Sequence, residues 1–219
     1  MTKERHILFS GEMIRAILEN RKSQTRRVVK PQPPRAEDVR ASAGIDYGLF
    51  TDETIPDVWR VSGPVWAVRD KMENPPKVPQ WRCPYGKPGD RLWVKETWAI
   101  GSEGIVFRSD DGWIEHEPDC KELLDGGKWK SPLYMPKAAA RIWLEIVSVR
   151  VERVQDISEE DAKEEGVVPD QFGIGNIRAA MKEPHGYQFA ILWDSINAKK
   201  PGRDWASNPF VWVIEFKRL

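Results

Sequence analysis

The chain has 219 residues, 34 basic and 34 acidic, and 40% of them are hydrophobic. That length and apolar content allow one large domain with its own core and argue against wholesale disorder. No apolar run approaches the roughly 20 residues of a membrane helix. Nor does Met1 to His6 lead into a signal peptide, and the two cysteines, Cys83 and Cys120, make no disulfide framework. The expectation is therefore one cytoplasmic domain over residues 1–219, with no membrane partner.

Two features of the composition are uneven. Residues 21–40 carry seven Arg/Lys against two acids, and residues 152–170 carry eight acids against two bases, so the neutral total says little about partners. The eleven tryptophans should mostly fill a core, with the rest available for a binding surface.

His6 to Phe9 reads as a short strand. Ser10 is an N-cap, and Met13, Ile14, Ile17 and Leu18 recur at helical spacing, which predicts a helix over 11–19. It should stop near Asn20, a residue that tolerates the left-handed conformation at a helix end. Basic Arg21 to Lys30 follows, with Val28-Val29 extended before Pro31. Between Pro31 and Pro88 lie ten of the seventeen prolines, with little periodicity. Such composition often marks a linker, but Trp59, Trp66 and Trp81 argue against disorder. Residues 31–84 read as a long proline-rich insertion packed on the domain, with one short strand pair around Val58–Val68.

Regular β pattern resumes after the Gly89-Asp90 turn, with a strand over Arg91–Trp98. Ile105–Arg108 and Trp113–Glu115 flank Ser109-Asp-Asp-Gly112 as a hairpin. Arg141–Val154 is the longest strand signal. Ile142, Leu144 and Ile146 alternate, and then Val147, Val149 and Val151 alternate on the other parity, which predicts a β-bulge near Ile146-Val147. Ser158 to Gly166 is a short acidic helix, with Ser158 as N-cap, Asp161 in capping-box position and Gly166 at the end. A further helix should cover Tyr187–Asn197, burying Phe189, Leu192, Trp193 and Ile196. Pro209–Phe216 ends the chain as an apolar strand. Several strands with two or three helices and no βαβ alternation point to an α+β, mainly β, mixed barrel.

Most chemical motifs are missing. His6, His116 and His185 with two distant cysteines give no metal-ligand spacing. Gly173-Ile-Gly175 lacks a third glycine and a preceding strand, and no Walker loop is present, so no cofactor is implied. Ser195 beside Asp194 falls inside a helix, away from any nucleophile elbow. What survives is Asn20-Arg-Lys-Ser-Gln-Thr-Arg-Arg27, four cations and a threonine directly after a helix. It reads either as a solvated basic turn or as a surface that contacts anions or nucleic acid.

Lys22-x-x-Thr25-x-Arg27 resembles the G-x-K-x-x-T-x-R signature of the ASCH domain, a PUA-like fold related to RNA-binding domains. Asn20 stands where that family usually has Gly. The resemblance extends to Gly89-Asp90 before a strand, to Asp156–Gly166 after a long strand, and to terminal Val213-Ile-Glu-Phe-Lys217. The whole chain is similar to ASCH proteins of tailed phages and prophages, and 31–84 belongs to that subgroup. The resemblance implies a PUA-like barrel that recognises RNA or a modified nucleoside. One bacterial branch hydrolyses N4-acetylcytidine with Lys, Thr and Glu. By motif these fall on Lys22 and Thr25, and alignment of the acidic helix brings the third onto Glu165.

On that resemblance Lys22 is the base, Thr25 the nucleophile, and Glu165 the group that orients Lys22 or protonates the leaving amine. Glu165 sits at the negative end of a helix, where a carboxylate is disfavoured, among acids that should raise its proton affinity. Lys22 and Thr25 need a turn between them, because a regular strand would point them to opposite faces. Arg21, Arg26 and Arg27 would bind substrate or nucleic acid, Arg27 through a phosphate, a pyrimidine carbonyl or Glu165. Two other functions fit the same residues: a metal-independent ribonuclease, with Lys22, Arg26 and Arg27 facing the phosphate, or a non-catalytic phage assembly protein.

Overall fold

The computed structural model describes residues 2–32, 65–67, 80–101, 104–110, 128–168 and 184–219. Their fold is α+β, mainly strands. The elements run β1 (Glu4–Leu8), α1 (Gly11–Leu18), β2 (Gln24–Val28), β3 (Val65–Ala67), β4 (Gln80–Arg82), β5 (Arg91–Lys95), β6 (Trp98–Gly101) and β7 (Gly104–Phe107). After them come β8 (Trp143–Arg153), α2 (Glu159–Glu164), α3 (Pro184–Asn197) and β9 (Phe210–Arg218). Five strands form one mixed sheet in the order β1-β5-β8-β9-β2, and β3-β4 and β6-β7 are separate two-stranded pairs. Among the described residues the sheet is open, with β1 and β2 at its edges, so the expected closed barrel is not what these strands form.

β9 explains why the ending is a nearly continuous apolar run. Phe210, Trp212, Ile214 and Phe216 pack on one face with Ile7, Ile14, Ile17, Leu92, Leu144 and Ile146. Val211 and Val213 pack on the other with Ala162, Phe189 and Trp193. A strand covered on both faces has no polar side to show. Each such side chain contributes about 1.5–3 kcal/mol by leaving water.

β8 carries the anticipated bulge. Ile146 pairs with Phe216 and Ser148 with Glu215, so Val147 is the extra residue, and it is exposed. The offset keeps Leu144, Ile146, Val149 and Val151 on one core face although their parity changes. It also puts Arg150 and Glu152 on the opposite face, near α2.

Several boundaries differ from the sequence reading. The strand expected over Arg91–Trp98 breaks at Glu96-Thr97, because the fully buried Glu96 carboxylate accepts from Arg141 and Ser109 there. β7 pairs with β6; the hairpin partner expected at Trp113–Glu115 lies outside the described residues. The strand pair in the proline-rich segment joins Val65–Ala67 to Gln80–Arg82, and the rest of 33–79, with its expected packing, also lies outside them. The last helix begins at Pro184, three residues before the expected Tyr187. Ile196 is 52% exposed instead of buried, because the final turn of α3 overhangs a pocket. Trp98, Trp193 and Trp212 are buried, and Trp93, Trp129, Trp143 and Trp205 are half-buried. Among the described residues no helix is long and apolar enough to cross a membrane.

Candidate functional site

The site begins where α1 stops. Asn20 takes a φ of 58°, and the amides of Arg21 and Lys22 both donate to the Ala16 carbonyl. The chain is thereby turned back along α2. Lys22 and Glu165 form an isolated antiparallel bridge, and the Ser23 amide donates to the Glu164 carbonyl at 2.9 Å. β2 starts only at Gln24, two residues after that bridge.

α2 ends as its residues dictate. Ser158 Oγ accepts from the Asp161 amide at 3.0 Å, and Gly166 closes the helix at φ +82°. A Cβ at Gly166 would lie 2.9 Å from that of Ala16 and 3.0 Å from that of Lys22. Glycine thus serves both the left-handed turn and the close approach of α2 to Lys22.

Lys22 is buried, and its three N–H donors are all used. They go to Glu165 Oε2 at 2.7 Å, the Glu165 carbonyl at 2.8 Å and the Gln24 carbonyl at 2.8 Å. Burial pushes its pKa down despite the pull of Glu165, and Arg27 and Arg26 add to the lowering. Glu165 does not face the acids of its own helix. Its second oxygen accepts from Arg26 at 3.3 Å, so two buried cations compensate its place at the helix end.

Arg26 points inward. Its side chain is fully buried, with Glu152 at 2.5 Å, Asp161 at 2.8 Å and Glu165 at 3.3 Å. Arg150 extends the network to Asp161, Glu152 and Glu215, and Gln24 donates to Asp161 and Glu164. A buried cation is tolerable when carboxylates fill its donors. Burial alone would raise Asp161, but the hydrogen bond from Gln24 and the charges of Arg26 and Arg150 outweigh it and hold its carboxyl below the usual range.

The remaining cations separate. Arg21 is exposed and pairs with Glu19. Arg27 donates to the Leu8 carbonyl and lies over the rings of Phe9 and Tyr85, not on Glu165. Its Nε is buried and lacks a partner among the described residues. Phe9 also faces Lys22 Nζ, at 5.7 Å.

A pocket of about 220 Å³ opens between β2 and α3. Thr25, Arg27 and Glu165 line it together with Met13, Tyr85, Phe189, Leu192 and Trp193, and Lys30, Ile196, Lys200 and Arg203 line it as well. Thr25 is buried, and its hydroxyl has no hydrogen-bond partner among the described residues. The structure therefore joins Lys22 directly to Glu165 and places Thr25 and Glu165 in the lining of one pocket. Arg26 and Arg27 line the pocket too, with the Arg26 fork occupied by carboxylates, whereas Arg21 and Lys22 are not among its lining residues.

Sequence reasoning missed Gln24, Arg150 and Glu152, whose spacing carries no signal, and the pocket cations Lys30, Lys200 and Arg203. Asp161 was visible only as a capping residue. Among the described residues no three His, Cys, Asp or Glu side chains are grouped to hold a metal ion. No protein-family model, curated protein or solved structure matches the chain.

Proposed function

We propose that the pocket recognises one base of RNA or of a free nucleoside, and that Lys22, Thr25 and Glu165 hydrolyse the amide of an N4-acylated cytidine. On this reading the sheet and its helices are a PUA-like fold of ASCH type. The observation that carries it is the buried Lys22–Glu165 pair at 2.7 Å, with Glu165 lining a pocket together with Thr25, whose hydroxyl has no hydrogen-bond partner among the described residues. A lysine whose proton is loosened by burial and whose position is fixed by a carboxylate is the equipment a threonine nucleophile requires. A pocket smaller than the roughly 300–1,000 Å³ of drug-sized sites, walled by Phe189, Trp193 and Tyr85, suits one flat base.

Lys22, as the neutral amine that its burial favours, exchanges one of its acceptors for the Thr25 hydroxyl and takes the hydroxyl proton as Oγ1 attacks the acyl carbon. The carbon–nitrogen bond breaks, and the amine leaves with a proton returned by Lys22. Water then cleaves the acyl-threonine ester and releases the acid. The test is incubation with N4-acetylcytidine, read as release of cytidine. Shortening of RNA without release of cytidine from the nucleoside would instead select the ribonuclease, and binding of neither would leave an assembly role.

A further inference from the structure

The polarity of the pocket changes from one group of lining residues to another. Thr25 and Glu165 are buried, Phe189 and Trp193 supply aromatic wall, and Lys30 and Lys200 are exposed, with Arg203 half-buried. Lys30 follows β2, Lys200 follows α3, and Arg203 comes from the loop leading to β9. A lysine after a helix end is ordinary, since it faces the negative end of the helix, but Lys30 and Arg203 have no such reason to be there. Among the described residues none of the three has an ion-pair partner. The one acid in the pocket wall, Glu165, is already taken by Lys22 and Arg26. All three line the same pocket, and desolvation and then the charges of Arg203 and Lys200 push the Lys30 pKa down, so Lys30 lies close enough to feel both other cations. Such a cluster with no internal anion is built for an external one.

We infer that Lys30, Lys200 and Arg203 hold a phosphate, so that the pocket takes its base on a nucleotide and not as a bare nucleoside. This rests on the base-recognition reading above. The phosphate has two sources, a free nucleoside monophosphate or the backbone of an RNA strand. In either case the base would lie along the Phe189–Trp193 wall and the phosphate at the exposed cations.

The experiment compares binding by calorimetry of four probes: N4-acetylcytidine, its 5′-monophosphate, a short oligoribonucleotide containing that base, and inorganic phosphate. Each is titrated into the wild-type chain and into the combined Lys30→Ala, Lys200→Ala, Arg203→Ala variant, with a thermal melt to show that the variant folds. The account expects the monophosphate, the oligoribonucleotide or both to bind at least about tenfold tighter than the nucleoside. That advantage should shrink as salt rises and vanish in the variant. Preference for the monophosphate identifies a free nucleotide; preference for the oligoribonucleotide identifies RNA. Equal binding of the three base-containing probes to the wild type, or an advantage that survives in the variant, overturns the phosphate site. Inorganic phosphate that binds only the wild type, with no binding of the nucleoside, keeps the cation site and overturns the base-recognition reading. Failure of every probe overturns both.

Discussion

Lys22, Arg26 and Glu165 illustrate how a charge run that reads as solvated can be internal. Composition alone favours water for such residues; what the sequence does not display is that the acids of residues 152–165 fold over the cations of residues 22–26. Removing one member of a buried pair typically costs about 3–5 kcal/mol. Glu165→Gln leaves Lys22 with carbonyls only and should fall in that range. Lys22→Met should cost less, because Glu165 keeps Arg26 at 3.3 Å. Urea denaturation of both variants checks the ranking, and the reverse order would show that Arg26 does not hold Glu165. Asn20 makes a gentler test. It occupies φ 58°, where glycine is free of Cβ strain, so Asn20→Gly should be neutral or slightly stabilising and Asn20→Ala should cost about 1 kcal/mol. The Asn20 turn was legible, since only a few residues tolerate that conformation. The inward turn of Arg26 was not.

β2 and α2 are held together by side chains more than by backbone, and that tether titrates. Asp161 has its pKa held below the usual range by Gln24, Arg26 and Arg150 against the opposing effect of burial, and Asp90 likewise by the amides of Lys3 and Lys87 and by Arg5. A depressed folded pKa adds stability that is complete above the ordinary aspartate value of about 3.9 and is lost as pH falls through the folded value. The urea midpoint should therefore drop between about pH 5 and about pH 3, and Asp161→Asn should flatten that drop. An unchanged slope would mean the network does not couple to folding. Lys22 acts in the opposite direction: its lowered pKa makes the buried ammonium a cost at neutral pH, relieved as pH rises through the folded value toward 10.5. Gly166 fixes the spacing of α2 from α1. Gly166→Ala should destabilise by about 1–3 kcal/mol and displace Lys22; a wild-type midpoint would show that the close approach is not required. At this scale the sequence was informative wherever period or punctuation spoke, as at the Val147 bulge, Ser158 and Gly166. It was silent on the break at Glu96, because a buried carboxylate inside a strand pattern looks like any solvent-facing polar residue. It also misplaced Ile196, since helical spacing gives a face but not where the neighbouring core ends.

In the whole molecule, one sheet is covered on both faces, and the second cover frames the pocket. α1 seals one side with Ile14 and Ile17; α2 and α3 pack on the other and leave the pocket between α3 and β2. The continuous apolar β9 signalled that double cover, but nothing in its pattern shows whether five strands close into a barrel, which depends on edges the period-two signal does not encode. The segregation of acids and bases along the chain is equally plain in the sequence, and its meaning lies in the packing of α2 over β2. The central claim is that this arrangement makes Thr25 a nucleophile. Its most direct test is release of cytidine from N4-acetylcytidine by the wild-type chain and by Thr25→Val, which keeps the β-branched shape of the side chain and removes the hydroxyl. The account predicts turnover by the wild type and none above background by a variant that melts as the wild type does. Equal turnover by the two proteins, or none by the wild type, would contradict it.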